Sequence, residues 1–331
     1  MAKIVILGSG GFGLAIAIMA KQCGKHDVTV WSKFQSEIDD IRAHGEHQQK
    51  LPGVQIPNEI VLTSDISCIK GCDILIFGIP SSFVRGVAKE AKPYIDEHMT
   101  VVNTGKGLEE GSLKRLSEVI EEELGIKDLV VLSGPSHAEE VARCVPTTMA
   151  CASKNPEAAK YIQSELGNSF LRLYLNDDVI GCELGGALKN IIALTTGISA
   201  GLGYGDNAKA ALITRGLAEI ERLGRKLGCA EQTFSGLAGM GDLIVTATSR
   251  HSRNNRAGYL IGRGCRPEEA VRQVGMVVEG INALPAAVTL AKRYDVDMPI
   301  VMAADAIINH GADPKRIVTD LMGREKRAER N

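Results

Sequence analysis

The sequence predicts an α/β protein, with a doubly wound sheet in residues 1–180 followed by an all-α domain in residues 181–331. Three observations support this division. Short apolar runs typical of buried strands alternate with helical segments as far as residue 175, that alternation then stops, and helical periodicity dominates the remainder. Because 331 residues exceed a typical single domain, two hydrophobic cores are expected.

The composition describes a soluble globular chain: 44% of residues are hydrophobic, and 36 are glycine. A formal net charge of -2 argues against nucleic acid or an anionic membrane as the main partner. The eight cysteines form no CxxC pair and no secretory signal precedes the first strand, so we expect reduced thiols and a cytoplasmic location. No uninterrupted apolar run predicts membrane insertion, and no histidine cluster accompanies the cysteines to suggest a metal site.

The first strand leads directly into a glycine-rich turn and a helix. Ile4 to Leu7 form a buried-strand pattern, and Gly8, Gly10 and Gly13 follow in GxGxxG spacing before an apolar helix. The first glycine suits the tight turn, the second lets the backbone approach a pyrophosphate, and the third allows close packing of helix and strand. In this setting the motif predicts a dinucleotide site of the Rossmann type.

The second strand, Asp27 to Trp31, ends without the acidic residue that would bind the ribose hydroxyls of NAD. Ser32 and Lys33 stand there instead. Because no carboxylate would repel a 2′-phosphate, this position favours NADP(H), with NAD(H) left open; Lys33 could equally be a solvated loop residue.

The remaining predicted strands occupy residues 72–80, 100–107, 128–136, 147–153 and 170–175. Ligands of such sheets bind beyond the carboxyl ends of the strands, where "GIPSS", "NTGKG" and "SGPSHA" lie. Lys106 is therefore expected on the binding rim, although a turn lysine without a partner is an equal alternative.

Three polar features interrupt the helical half. Lys189 lies in "GGALKN" on a helix face of small residues. It could be a lysine that snorkels to the surface, or it could lie in a crevice that another molecule enters. Asp242 in "GMGDL" could cap a helix or orient a catalytic cation. The segment "HSRNNRAG" could be a solvated basic loop or an anion site at a helix start. A snorkelling lysine, a helix cap and a solvated loop would each explain one of these features. The occurrence of all three features in a chain that also has a dinucleotide site favours an enzyme.

These motifs together resemble the NAD(P)-dependent glycerol-3-phosphate dehydrogenases of the soluble bacterial type. The resemblance spans nearly the whole chain and is carried by "GSGGFG", "GKGLE", "SGPSHAEEV", "GGALKN", "GYGDNAKAALITRGLAE", "GMGDL", "SRN" and "VVEG". It implies reversible hydride transfer between NAD(P)H and dihydroxyacetone phosphate, which gives sn-glycerol 3-phosphate, the backbone precursor of phospholipids. It also implies a homodimer.

The resemblance assigns roles by matching positions. Lys189 matches the catalytic lysine and Asp242 the acid that holds it or a substrate hydroxyl. The positions matching substrate contacts are Lys106, Gly134, Ser136, Lys189, Asp242, Ser252, Arg253 and Asn254. Those matching cofactor contacts, with the three motif glycines Gly8, Gly10 and Gly13, are Gly11, Phe12, Lys33, Lys106, Ala138, Arg253, Val277 and Glu279. Two departures are Ala200, where the family often has aspartate in a segment expected to join helices, and Lys33, where it often has arginine or histidine.

The sequence leaves two rival functions. A related β-hydroxyacid dehydrogenase would also place a catalytic lysine on an interdomain helix, but it would lack the "SRN" to "VVEG" ending. A non-catalytic nucleotide-sensing protein would keep the fold but would have no use for Lys189 and Asp242.

Overall fold

A computed structural model describes residues 1–249, 251–326 and 328–329. Its first part is one eight-stranded sheet in the order β3-β2-β1-β4-β5-β6-β7-β8, which confirms the predicted doubly wound sheet with extra strands. The strands are β1 (Lys3–Leu7), β2 (Asp27–Trp31), β3 (Val61–Thr63), β4 (Ile74–Phe77), β5 (Thr100–Asn103), β6 (Val130–Ser133), β7 (Thr147–Ala152) and β8 (Leu171–Asn176). All neighbouring pairs are parallel except β6 and β7.

Helices cover both faces of this sheet. They are α1 (Gly11–Gln22), α2 (Gln35–His44), α3 (Val84–Ala91), α4 (Leu116–Leu124), α5 (Ala138–Val141) and α6 (Pro156–Leu166). Ile4 and Ile6 of β1 pack into one core with α1, while Val5 and Leu7 pack into a second core with α3 and α4. Because successive strand residues point to opposite faces, burial on both sides requires the unbroken apolar runs seen in the sequence.

The glycine-rich turn has the predicted form. Gly8 has φ +118°, a conformation that L side chains rarely adopt, and a Cβ there would lie 2.6 Å from the carbonyl oxygen of Gly78. Helix α1 then begins at Gly11, and a side chain at Gly13 would overlap the Gly8 carbonyl. The start of α1 is thus fixed directly above the carboxyl end of β1.

The second part is helical, as predicted. It comprises α7 (Val179–Gly201), α8 (Asp206–Lys226), α9 (Glu231–Ser235), a π-helical turn (Leu237–Gly241), α10 (Asp242–Thr248), α11 (Arg253–Gly262), α12 (Pro267–Val274), α13 (Glu279–Asn282), α14 (Leu284–Arg293), α15 (Pro299–His310) and α16 (Pro314–Met322). Helix α7 is long and apolar enough to cross a membrane, but 94% of its most apolar window is buried inside the protein. It is the core helix of this domain. Ala200, expected in a connecting segment, lies instead in the last turn of α7.

Helices α7 and α11 touch through their main chains. A Cβ at any of four glycines would overlap a carbonyl oxygen of the opposite helix; these are Gly197, Gly201, Gly258 and Gly262. Their four-residue spacing places each pair on one helix face. The small residues therefore let two helix backbones pack in direct contact.

A buried carboxylate anchors the start of α7 to the sheet domain. Glu183 accepts hydrogen bonds from Arg115 Nη1 at 2.9 Å, from Ser117 N at 2.9 Å and from Asn103 Nδ2 at 3.2 Å. Burial raises the pKa of Glu183, and the positive charge of Arg115 acts in the opposite direction. Because Lys189 follows six residues later on the same helix, this cluster fixes the register of α7 against β5 and α4.

Glu183→Gln should lower the free energy of unfolding by about 3 kcal/mol, because it removes the buried carboxylate of Arg115 and leaves that guanidinium with only the exposed carboxylate of Glu118. Chemical denaturation monitored by circular dichroism measures this change. Glu118→Gln is the matched control, since Glu118 pairs with Arg115 at 3.2 Å but is 44% exposed, and a cost below about 1 kcal/mol is expected. Equal costs for the two variants would contradict the anchoring role.

Candidate active site

Two lysines from different domains share one buried carboxylate. Lys189 Nζ of α7 donates hydrogen bonds to Asp242 Oδ1 and, at 2.6 Å, to Thr246 Oγ1. Lys106 Nζ, from the segment after β5, donates to Asp242 Oδ2 at 2.7 Å and to the Gly134 carbonyl oxygen at 2.9 Å. Asp242 is 1% exposed and Lys189 is 5% exposed. The structure thus brings three predicted site residues into one cluster at the seam between the domains.

The local fold explains why Asp242 faces the lysines. The π-helical turn Leu237–Gly241 precedes α10, and Asp242 is the first residue of that helix. Its carboxylate caps no backbone amide and instead accepts from both ammonium groups. One turn further along, Thr246 donates its hydroxyl hydrogen to the Asp242 carbonyl oxygen at 2.6 Å, which leaves a lone pair for Lys189.

The buried environment of Lys189 lowers its pKa well below that of a solvated lysine. Burial lowers the pKa of Lys189 to about 7, and the neighbouring Lys106 charge acts in the same direction, while the Asp242 carboxylate raises it. A group whose pKa lies near the working pH can both donate and accept a proton, which is what a general acid and base requires.

The small residues around Lys189 serve packing with neighbours on both sides. A Cβ on Gly185 would lie 2.6 Å from the Ala238 carbonyl oxygen, and one on Gly186 would lie 3.4 Å from Lys106 Cγ. The first glycine therefore admits the π-helical turn, and the second admits the side chains of Ser133 and Lys106. Lys189 is not a snorkelling surface lysine, because only 5% of it is exposed.

Gly134 and Ser136 lie beside Lys106 at the carboxyl end of β6. The Gly134 carbonyl oxygen accepts from Lys106 Nζ and, at 3.0 Å, from Ser136 Oγ. Gly134 has φ +146°, and a Cβ there would lie 3.1 Å from Met149 Cα of the neighbouring β7. This bend directs the "SGPSHA" segment towards the lysine cluster.

The predicted anion-binding group lies at the start of α11. Ser252 is the N-cap, and its Oγ accepts from Asn255 N at 3.2 Å. Asn254 is buried, with its amide nitrogen donating to Asn190 Oδ1 at 2.9 Å and its amide oxygen accepting from Gly280 N at 2.8 Å. Within the described residues the guanidinium of Arg253 has no hydrogen bond or ion pair; burial lowers the pKa of Arg253, and the charges of Glu279 and Glu139 act in the opposite direction. Arg253 and the helix start are thus available to an anion, whereas the Asn254 side chain ties α11 to α7 and α13.

Most predicted cofactor positions surround the start of α1. Over Gly10 the nearest atom to an added Cβ would be 3.7 Å away, so the backbone there is accessible. A Cβ on Gly11 would lie 3.6 Å from Ala138 Cβ, which places α5 beside the same helix end, and Phe12 packs partly buried behind it. The first amides of a helix have no partner within it, so this end fits a pyrophosphate.

The other cofactor positions are more scattered. Glu279 at the start of α13 accepts from Ser81 N at 3.2 Å and from Ser81 Oγ at 2.8 Å, which links the helical domain to the segment after β4. Val277 is half-buried just before α13. Lys33 forms an exposed ion pair with Glu90 of α3 at 2.5 Å. Across the described parts of the chain, no three His, Cys, Asp or Glu side chains group as a metal site.

Sequence reasoning missed several residues at these sites. Thr246 contacts Lys189, and its position four residues after Asp242 on a helix could have indicated this. Glu37 of α2 bonds to Ser9 in the glycine-rich turn and to Ser32 after β2. Phe34 and Phe83 follow β2 and β4 and are 64% and 59% exposed, which is unusual for large aromatic side chains.

A glycine-rich turn at the start of a helix in the sheet domain and a buried lysine with a near-neutral pKa in the helical domain are together typical of a dinucleotide-dependent oxidoreductase. Comparison with known proteins narrows this class. The family model for the N-terminal part of NAD-dependent glycerol-3-phosphate dehydrogenase matches residues 3–159, and the model for the C-terminal part matches residues 178–319. The chain therefore belongs to the NAD-dependent glycerol-3-phosphate dehydrogenase family.

Individual relatives agree over the full length. The chain is 52% identical to glycerol-3-phosphate dehydrogenase [NAD(P)+] 2 of Lactobacillus delbrueckii subsp. bulgaricus, with 99% of both chains covered. It is 48% identical to the enzyme of Desulfitobacterium hafniense, with 99% of this chain and 93% of the relative covered. The crystal structure of the Coxiella burnetii glycerol-3-phosphate dehydrogenase superposes with TM-score 0.93 at 37% identity, covering 98% of this chain and 99% of that one.

The family membership confirms the enzyme class expected from the sequence. The protein is an oxidoreductase that uses NADP(H) or NAD(H) as its cofactor and glycerol 3-phosphate as its substrate. The β-hydroxyacid dehydrogenase and the nucleotide sensor are not favoured, because the curated relatives share the whole chain and carry the dehydrogenase name.

Proposed function

We propose that Lys189 is the proton donor and acceptor in the interconversion of dihydroxyacetone phosphate and sn-glycerol 3-phosphate. The observation that carries this assignment is the position of the buried Lys189 ammonium group. It donates hydrogen bonds to Asp242 and Thr246, and Lys106 binds the other oxygen of the same Asp242 carboxylate. We also propose residues 1–180 as the cofactor domain and 181–331 as the substrate domain. The Lys189 cluster then lies where the two domains meet.

A bound nicotinamide would supply the hydride for the substrate carbon in the direction of reduction, and the protein supplies the accompanying proton. In reduction, the Lys189 ammonium donates a proton to the carbonyl oxygen; in oxidation, the neutral amine accepts it. Asp242 stabilises the protonated form, and Thr246 holds the Nζ atom in a fixed direction by accepting its hydrogen bond. Lys106 adds a second positive charge beside the oxygen that becomes negative.

The phosphate end of the substrate would lie against the start of α11. Arg253 provides a guanidinium without a partner among the described residues, and the helix start provides backbone amides and a favourable dipole. Gly134 and Ser136 would border the opposite side of the substrate through the contact of Gly134 with Lys106. Ser252 and Asn254 support this site by capping α11 and by tying it to α7.

Arg253→Ala should raise KM for dihydroxyacetone phosphate by about ten- to a hundred-fold, because a charge-assisted contact of roughly 1.5–3 kcal/mol is lost. Steady-state kinetics at saturating cofactor measure this change. Arg256→Ala is the matched control, since Arg256 is exposed on the same helix one turn from its start, and KM should stay within about two-fold. An effect of Arg253→Ala confined to cofactor binding would contradict the assignment.

The overall reaction has a direct test. Purified protein mixed with NADPH or NADH and dihydroxyacetone phosphate should oxidise the cofactor, followed by the loss of its absorbance. No turnover with either cofactor would contradict the proposed reaction.

We further propose a cytoplasmic homodimer. The cysteines, all of them free thiols, support the location, and the family resemblance supports the assembly. Light scattering coupled to size-exclusion chromatography should give twice the 35.3 kDa chain mass.

A further inference from the structure

Two cysteines that are far apart in the sequence have their sulfur atoms in contact. Cys23 is the C-cap of α1, and Cys144 follows the end of α5. Their Sγ atoms lie 3.3 Å apart, within the range of about 3–3.5 Å from which two aligned groups react. Within the described residues no other two cysteine sulfurs are hydrogen-bonded to each other. The contact therefore distinguishes this pair from the remaining thiols.

Backbone hydrogen bonds fix the positions of both side chains. The Cys23 amide donates to the Met19 carbonyl oxygen at 2.9 Å, so Cys23 continues the last turn of α1. The Cys144 amide donates to the Val141 carbonyl oxygen at 3.0 Å and closes the turn after α5. Cys144 has φ +52°, a left-handed conformation that favours glycine. A thiol thus occupies a turn position whose backbone conformation alone would favour glycine.

Small molecules can reach the pair without unfolding of the protein. Cys23 and Cys144 are both half-buried, whereas four of the other cysteines are buried. Cys144 Sγ also donates a weak hydrogen bond to Gln22 Oε1 at 3.8 Å, in an exposed contact. A small oxidant such as hydrogen peroxide therefore has access to the Cys144 sulfur.

The local environment keeps Cys23 in its thiol form. Burial raises the pKa of Cys23 to about 11, and the hydrogen bond and charge of Cys144 act in the same direction. Because the thiolate and not the thiol attacks a peroxide, the reaction begins at Cys144. Once the Cys144 sulfur is oxidised, it no longer carries a negative charge that opposes the ionisation of Cys23.

We propose that Cys23 and Cys144 form a reversible intramolecular disulfide when the reduced protein meets hydrogen peroxide. The Cys144 thiolate attacks one peroxide oxygen, the O–O bond breaks, and hydroxide leaves to give a sulfenic acid. The Cys23 thiolate then attacks the Cys144 sulfur and displaces a second hydroxide. Each hydroxide takes up the proton that one thiol released, so two thiols and one peroxide give one disulfide and two waters.

The disulfide joins two helices that begin at the proposed cofactor site. Helix α1 starts at Gly11 and α5 at Ala138, and a Cβ on Gly11 would lie 3.6 Å from Ala138 Cβ. A covalent link near the other ends of these helices opposes their separation. Because it connects residues 121 positions apart, it also restricts the unfolded chain, so oxidation stabilises the fold. The inference does not depend on the reaction proposed above.

Peptide mapping of the full-length protein tests the link. Fully reduced protein is treated with hydrogen peroxide, its remaining thiols are alkylated, and its peptides are analysed without reductant. We expect a cross-linked peptide of Cys23 and Cys144 as the main oxidation product, released by dithiothreitol. The oxidised protein should unfold at a temperature about 3 °C or more above that of the reduced protein. Treated wild type in which Cys144 is instead a sulfinic acid, or is linked to another cysteine, would overturn the proposal.

Cys23→Ser removes the partner and leaves Cys144 alone. The same treatment should then carry Cys144 to a sulfinic acid, a gain of about 32 Da that dithiothreitol does not reverse, and should not raise the unfolding temperature. Cys265→Ser is the matched control, since Cys265 is also half-buried, and this variant should cross-link and gain stability as the wild type does. Equal stabilisation of Cys23→Ser on oxidation, or failure of Cys265→Ser to cross-link, would contradict the assignment of the pair.

Discussion

Replacing Lys189 with methionine should lower kcat for the reduction of dihydroxyacetone phosphate by roughly 10²- to 10⁴-fold, the usual contribution of a general acid. Methionine retains most of the side-chain length but can neither donate a proton nor hydrogen-bond to Asp242 or Thr246. The dissociation constant for NADPH should change by less than about three-fold, because the nucleotide turn belongs to β1 and α1. Steady-state kinetics and fluorescence titration measure the two effects separately.

The control for this variant is Lys292→Met, which alters an exposed lysine on α14 and should leave both constants unchanged. Removing the buried Lys189 charge leaves Asp242 paired with Lys106 alone, so a moderate fall in thermal stability is also expected. If Lys189→Met lost cofactor affinity to the same extent as turnover, the lysine would serve the fold of the cofactor site and not proton transfer.

The second large effect is expected from Asp242→Asn, which changes how turnover depends on pH. In the wild type, Lys189 with a pKa of about 7 is protonated below that pH. Reduction should therefore be fastest below pH 7 and fall by about ten-fold per pH unit above it, while oxidation should show the reverse dependence. The Asp242 charge raises the pKa of Lys189, so its removal should move both transitions to lower pH.

At a pH of about 7.5 the Asp242→Asn variant should reduce the substrate at least ten-fold more slowly than the wild type, with partial recovery near pH 6. Profiles of kcat/KM against pH in both directions, recorded with the same buffers, measure the shift. A transition that stays in place or moves to higher pH would show that Asp242 does not stabilise the protonated lysine.

Much of this architecture follows from short-range sequence patterns. The apolar runs of β1, β4 and β6 are uninterrupted because both sheet faces are covered, and the glycine turn sits directly between β1 and α1. Strand β3 escaped prediction because three residues are too few to establish a period. Neighbours distant in sequence could not be predicted either: Cys23 and Cys144 Sγ atoms lie 3.3 Å apart although no motif connects them.

The site shows the same limit. The motifs singled out Lys106, Lys189 and Asp242. They could not show that both lysines bind the Asp242 carboxylate, because the hydrogen bond from Lys106 to Asp242 joins residues 136 positions apart. In the sequence Lys33 looked available to a phosphate. Its ion pair with Glu90 could not be predicted, because the two residues are 57 positions apart. Glu37 was overlooked because it lies on α2 and reaches Ser32, at the end of the second strand, only through a tertiary hydrogen bond. Sequence spacing predicts local geometry, and tertiary contacts decide which charges remain free.

The main-chain contact between α7 and α11 has a further consequence for substrate choice. Lys189 lies two turns before Gly197 on one helix, and Arg253 begins the other, so the contacts between carbonyl oxygens and glycines set the separation between the proposed proton donor and the proposed anion site. Backbone atoms cannot change rotamer, and the helices can neither spread nor approach without losing that packing. The helix packing thus fixes the distance that a substrate must span between its carbonyl group and its phosphate. Lengthening the substrate that the enzyme accepts would require changing glycines that never touch it.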